Sequence, residues 1–260
     1  LPETVNGVRT PVVSLNGEWR FRPTADSRWT TVQVPGEVAM QGYAIQHDKP
    51  FYYERSFRLP ADFKDRRTIL RFDGVYSRAK LYVNGRFVRE HRGGFTRWET
   101  DITDLVTPGR DNRVALEVVD RIDDISYAAG YAHHPIGGIL RDVTVYSLPS
   151  THLYDLNVET DLDSVYQNAE LRLSCNVDGK RPAKVRVELL DPQGKPVPLA
   201  TPQFTLAPGS RDTLTLNVDS PAKWDAEHPN LYTLILTTTA SGDDSYTLRR
   251  QVGFREIEGQ

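Results

Sequence analysis

The chain has 260 residues, of which 38% are hydrophobic, 26% charged and 10% aromatic, enough apolar surface for folded cores and a composition that excludes global disorder. One cysteine rules out a disulfide-stapled miniprotein, and a formal net charge of −3 with both signs scattered gives no field that would draw nucleic acid or an anionic membrane. No window nears the roughly eighteen unbroken apolar residues of a membrane-crossing helix, so no membrane partner is expected.

In chain order, short runs rich in Val, Leu, Thr, Tyr and Phe, separated by Gly, Pro, Asn and Asp, predict an all-β protein. Trp19 alternates with Phe21 in an early strand, which puts Trp19 in a core. Further strands are predicted over Tyr52–Leu59, Thr68–Phe72, Ala79–Val83, Arg86–His91, Arg113–Val119 and Leu140–Ser147. Asn84-Gly85 should turn a hairpin, because both residue types accept the positive φ of a type I′ turn. Prolines 35, 50, 60, 108, 135 and 149 break nearly every helical window, leaving single turns such as one near Ala222–Glu227. A boundary falls at Leu148-Pro149-Ser150, dividing a first module, 1–149, from a second, 150–260. In the second, Leu171, Leu173, Cys175 and Val177 alternate with polar residues, and the runs at 185–189, 214–218 and 232–239 complete the pattern of an immunoglobulin-like sandwich. Cys175 falls on the apolar side of its strand and reads as a core thiol, not a nucleophile.

An ordered set of segments carries a family likeness. It comprises Ser14-Leu15-Asn16-Gly17-Glu18-Trp19-Arg20-Phe21, Val34-Pro35-Gly36-Glu37, Tyr53-Glu54-Arg55-Ser56-Phe57 and Leu70-Arg71-Phe72-Asp73-Gly74-Val75. Tyr82-Val83-Asn84-Gly85, Gly93-Gly94-Phe95, Asp101-Ile102-Thr103 and Gly138-Ile139-Leu140-Arg141-Asp142-Val143 follow in order. The second module adds Trp224, His228-Pro229-Asn230-Leu231-Tyr232 and Val252-Gly253-Phe254-Arg255-Glu256-Ile257. Together they resemble glycoside hydrolase family 2, the family of β-galactosidases, β-glucuronidases and β-mannosidases. The resemblance implies a galactose-binding-like jelly-roll sandwich followed by the immunoglobulin-like sandwich, with a catalytic (β/α)8 barrel expected beyond these residues. Both glutamates of the family's reaction belong to that barrel, so no catalytic residue is assigned here. The implied partner is a β-glycoside held together with the barrel, the jelly roll walling the sugar site and the second sandwich acting as a spacer.

The residues within the chain agree with that division of labour. Asp123-Asp124 is the conspicuous acidic doublet, yet neighbours on an extended chain point to opposite sides, which does not suit two carboxyl groups sharing one bond. His133 and His134 are the closest histidines and lack metal-ligand spacing, so no cofactor is expected; a structural calcium held by loop oxygens would leave little sequence trace and has no assigned residues. About twenty residues between Val119 and Leu140 lack strand pattern, which marks either a functional loop or a missed element. By the resemblance this loop reaches the barrel mouth, which makes Tyr131, His133 and His134 candidate sugar contacts; packing beneath the loop is the alternative. Trp98, after the Gly93-Gly94 turn, is the fourth substrate-binding candidate, whereas Trp224 is expected to pack. A stand-alone carbohydrate-binding module and a surface interaction protein are the competing functions. The Gly253-Phe254-Arg255 ending favours the enzyme portion over both, and the start at Leu1 reads as processed, which favours a periplasmic or secreted location.

Overall fold

The computed structural model describes residues 11–121, 136–240 and 245–256. Two compact units divide it, the first covering Pro11–Ser147 and the second beginning at Leu148.

The first unit contains β1 (Val12–Ser14), β2 (Gly17–Arg22), β3 (Thr30–Val34), β4 (Pro50–Arg58), β5 (Arg67–Phe72) and β6 (Val75–Tyr76). It continues with β7 (Arg78–Val83), β8 (Arg86–Arg92), β9 (Trp98–Asp101), β10 (Asp111–Val119), β11 (Gly138–Ile139) and β12 (Val143–Leu148). Antiparallel pairing arranges these as a six-stranded sheet, β3-β2-β4-β10-β7-β8, a four-stranded sheet, β1-β12-β5-β9, and the short pair β11-β6. The result is a jelly-roll sandwich. Alternation sets its inner face: Thr68, Leu70 and Phe72 on β5, Ala79, Leu81 and Val83 on β7, and Val114, Leu116 and Val118 on β10 are all buried. Trp19, Phe21, Phe51 and Tyr53 fill the centre, with Trp19 Nε1 donating to the Leu15 carbonyl at 2.7 Å so that its polar atom is satisfied inside the core. Each such side chain contributes roughly 1.5–3 kcal/mol by leaving water.

The second unit contains β13 (His152–Leu162), β14 (Ala169–Asp178), β15 (Ala183–Leu190), β16 (Gln203–Leu206), β17 (Arg211–Val218), β18 (Tyr232–Ala240) and β19 (Tyr246–Val252). Its sheets, β13-β14-β17 and β16-β15-β18-β19, form an immunoglobulin-like sandwich. Leu171, Leu173, Cys175 and Val177 all point into the core, where burial pushes the Cys175 thiol up to about 11. Tyr246 Oη accepts the Leu153 backbone N–H, and Tyr232 meets Phe254 edge-on at 4.9 Å.

The predicted Asn84-Gly85 turn is present, with φ of 48° and 82° between β7 and β8. The single turn expected near Ala222–Glu227 is absent. There the Asp225 carboxylate takes the N–H groups of Glu227 and His228, and Trp224 bridges to Pro229, so the segment is a tight loop. The 3₁₀ turns lie instead at Ala39–Gln41, Ala61–Phe63 and Thr103–Leu105. Residues 140–142 precede β12 instead of joining it, because the Asn16 side chain accepts from Val143 N–H at 2.9 Å and donates to Asp142 Oδ1 at 2.9 Å. Among the described residues no helix is long and apolar enough to cross a membrane.

Candidate functional site

Tyr131, His133 and His134 lie outside the described residues, as do Asp123 and Asp124. The flanks of their segment are described, and both run beside the loop that leads into β4.

On one flank, β10 ends at Val119 and is followed by Asp120 and Arg121. Asp120 accepts the Asp48 N–H at its backbone carbonyl, 2.8 Å, and Arg121 N–H donates to Ser77 Oγ at 2.8 Å. Two ion pairs flank that backbone bond: His47 Nδ1 to Asp120 Oδ2 at 2.8 Å and Arg121 Nε to Asp48 Oδ1 at 3.1 Å. The Asp120 side chain is only 1% exposed, whereas His47, Asp48 and Arg121 are 29%, 42% and 37% exposed. Burial raises the Asp120 carboxyl above its ordinary range, the His47 pairing opposes the shift, and the like charge of Asp48 adds to it.

On the other flank the chain returns at Gly137, whose carbonyl accepts Val38 N–H at 3.1 Å, while Ile139 O accepts Gly36 N–H at 2.9 Å. Glycine is required at Gly138. Its φ is +136°, and a Cβ there would lie 2.8 Å from Gly36 O and 2.9 Å from Tyr53 Oη. A Cβ at Gly137 would likewise strike Ile45 Cδ1 at 2.4 Å. Beside this cluster is a mainly apolar cavity of about 330 Å³ bordered by Pro23, Ala25, Ile45, Lys49, Phe51 and Tyr52. Its volume is at the lower end of small-molecule sites, and the neighbouring half-exposed imidazole, carboxylate and guanidinium are groups that hydrogen-bond hydroxyls. Asp48 already faces the Arg121 guanidinium and Asp120 the His47 ring.

Trp98 is on β9 and is 5% exposed. One ring contact is Phe72, stacked at 4.5 Å and 18°, and another is His91, stacked at 4.9 Å and 16°. Burial lowers the His91 pKa. A ring so enclosed presents no open face on which a pyranose could stack. The described residues contain no group of three or more His, Cys, Asp or Glu side chains placed to hold a metal ion.

In the second unit a groove of about 720 Å³ is bordered by Thr160, Trp224, Leu231, Gln251, Arg255 and Glu256. The Arg255 guanidinium lies over the Trp224 ring at 5.0 Å, and Glu256 accepts the Leu162 N–H at 3.1 Å. Trp224 therefore packs, yet on the wall of a surface groove and not in the core.

Sequence reasoning reached Asp120 only as a member of the long loop and missed His47, Asp48 and Arg121. The signal was slight: a His-Asp-Lys-Pro run before a strand reads as an ordinary polar turn.

The first unit matches the family described as "Glycosyl hydrolases family 2, sugar binding domain" over residues 10–149, and the second matches "Glycosyl hydrolases family 2" over residues 151–255. A beta-galactosidase of Priestia megaterium is 32% identical over 291 residues, covering 94% of this chain and 28% of that protein. A Kluyveromyces lactis beta-galactosidase is 28% identical, covering 94% of this chain and 29% of its own length. The chain thus spans less than a third of these relatives. Among solved structures, a Ruminococcus gnavus beta-glucuronidase superposes with TM-score 0.75 at 22% identity, over 98% of this chain and 46% of that one. Bacteroides uniformis beta-glucuronidase 2 gives 0.78 at 22% identity, over 95% and 33%. At that identity the two structures speak for the fold alone.

Proposed function

The chain belongs to glycosyl hydrolase family 2, and from that premise we propose that its jelly roll walls the sugar site of a β-galactosidase-like enzyme while its second sandwich supports the catalytic barrel. The supporting observation is the ordered match of the first unit to the family's sugar binding domain and of the second unit to the family model that follows it. In this reading the ligand is a β-glycoside, bound jointly with the barrel, and the contacts from this chain come from the 47–48/120–121 cluster and from the segment that follows it. Asp48 and Arg121 offer an acceptor and a donor for sugar hydroxyls, and the family resemblance adds Tyr131, His133 and His134 as further contacts. The groove beside Trp224 and Arg255 is the part of the second unit assigned to the barrel side, since the family's own signature residues line it.

The test uses the full-length enzyme. His133→Ala and His134→Ala should lower kcat/KM for an aryl β-galactoside by about tenfold or more while the melting temperature stays within a few degrees. Unchanged kcat/KM in both variants would refute the assignment of sugar contacts to this segment.

A further inference from the structure

We propose that Phe95 is a substrate-contact residue: its exposed ring takes the flat C–H face of a ring of the β-glycoside, either the galactoside itself or an aryl aglycone. The inference rests on the reading that this end of the jelly roll walls the sugar site.

The ring that the Gly93-Gly94 turn presents is Phe95, not Trp98. Phe95 is 53% exposed and rests on the buried Tyr76, with ring centroids 5.3 Å apart at 60°. A T-shaped contact of this kind takes at most one face of the Phe95 ring, so the other stays open to a ligand. The backbone that carries the ring is held from below. Gly93 has φ +118°, its N–H donates to the Ser77 carbonyl at 2.9 Å, and Thr96 Oγ1 donates to the Gly93 carbonyl at 3.3 Å. A Cβ on Gly94 would lie 2.2 Å from Tyr76 Cδ2, so only glycine lets the turn lie down on that ring. Arg97, paired with Asp73 at 2.6 Å, ties off the far side. None of these bonds uses the Phe95 side chain. A ring on a backbone already fixed this way gives up little further freedom when a ligand arrives.

Position decides what the ring meets. Tyr76 and Ser77, which lie under the turn, also anchor both flanks of the candidate site: Ser77 Oγ accepts the Arg121 N–H at 2.8 Å, and Tyr76 pairs with Gly138 across β6 and β11. Phe95 and Arg121 therefore share one support, the Tyr76-Ser77 dipeptide. A pyranose is polar at its rim and apolar across its C–H face, so an open aromatic ring near the Asp48–Arg121 pair, which supplies an acceptor and a donor, matches both parts of it. Phe87, the other exposed phenyl ring among the described residues of the first unit, lacks these surroundings, since it stands beside the Asn84-Gly85 turn at the opposite end of β8.

The test is steady-state kinetics of the full-length enzyme on phenyl β-galactoside and methyl β-galactoside. Phe95→Ala should raise KM for the phenyl compound roughly three- to tenfold and leave kcat within about twofold, because stacking made in the ground state is kept in the transition state. Phe95→Tyr and Phe95→Trp should hold KM near the wild-type value, whereas Phe95→Leu, apolar but without a flat face, should behave as Phe95→Ala does. A parallel rise for methyl β-galactoside places the ring under the galactoside, and a rise confined to the phenyl compound places it under the aglycone. Unchanged KM in Phe95→Ala would overturn the proposal, as would full recovery by Phe95→Leu, the behaviour of a ring that only fills space. Should Phe95→Ala not fold, the comparison of Phe95→Leu with Phe95→Trp decides alone. The histidine variants separate this inference from the reading beneath it: if His133→Ala and His134→Ala impair turnover and Phe95→Ala does not, Phe95 loses its role and the sugar site stays where it is proposed; if all three are silent, both fall.

Discussion

Asp73 holds two guanidinium groups at once, Arg71 Nε at 2.8 Å and Arg97 Nε at 2.6 Å. Burial alone would raise its carboxyl, but the hydrogen bonds and charges of the two arginines outweigh it and leave the group below the usual carboxylate range. A depressed folded value means that stability is present above the unfolded titration near pH 4 and is lost as pH falls through the folded one. Asp73→Asn should therefore lower the melting temperature at pH 7, by an amount equivalent to about 1 kcal/mol given its partial exposure, and the gap should close in strongly acidic buffer. Melts at pH 7 and pH 2.5 check this; an equal gap at both would show that shape, not charge, is lost. The Arg97 contact was not legible in the sequence, because it reaches Asp73 only through the register of β5 with β9. Trp98 shows the same limit. The Gly93-Gly94 turn before it suggested a presented ring, but the Phe72↔Trp98 pairing of β5 with β9 turns it inward. His47 and Asp120 likewise meet only because β4 and β10 are neighbours, with Pro50 opposite Val119.

Whole strands were legible where alternation was long enough to choose a face. β5, β7, β10, β14 and β15 each alternate buried and open positions as their sequences do. The two-residue strands β6 and β11 were not, since a pair such as Gly138-Ile139 carries no period at all. Between these extremes lies the β7–β8 hairpin, whose turn chemistry was readable and whose further role was not. Asn84 at φ 48° both turns the chain and ties it to the neighbouring loop. Its Nδ2 donates to Leu105 O at 2.7 Å and Asn112 Oδ1 at 2.9 Å, and its Oδ1 accepts the Arg113 N–H at 2.7 Å. Asn84→Gly keeps the backbone conformation and removes the three bonds, whereas Asn84→Ala loses both. The Gly variant should be destabilised by about 1–2 kcal/mol and the Ala variant by about 1 kcal/mol more. Denaturant unfolding of the two would separate turn strain from network loss, and equal costs would mean that the side-chain network dominates.

At the scale of the molecule, the described residues supply two β-sandwiches, and the chemistry open to their candidate site can be weighed from its carboxyl groups. Glycoside hydrolysis by the usual route needs two carboxyl groups across one bond, about 5–5.5 Å apart for retention or 6.5–9.5 Å for inversion, one free to protonate and the other to attack or activate water. In the candidate site the carboxylates are Asp48, which faces the Arg121 guanidinium, and Asp120, which is buried against the His47 ring. An acid held by a guanidinium, as Asp48 is, is poorly suited to exchanging protons with a leaving group. The resemblance assigns both catalytic glutamates to the barrel, and the relatives are more than three times as long as the part this chain matches. The purified 260-residue chain should therefore release no more nitrophenol from aryl β-galactosides or β-glucuronides than buffer does. It should also hold free sugar only weakly, because a shallow half-site cannot bury most of a ligand. Turnover that survives repurification and disappears when Asp48 or Asp120 is replaced by its amide would place the chemistry in this chain after all. Turnover that co-purifies but ignores both substitutions would point to a contaminating enzyme, and the division of labour between sandwich and barrel would stand.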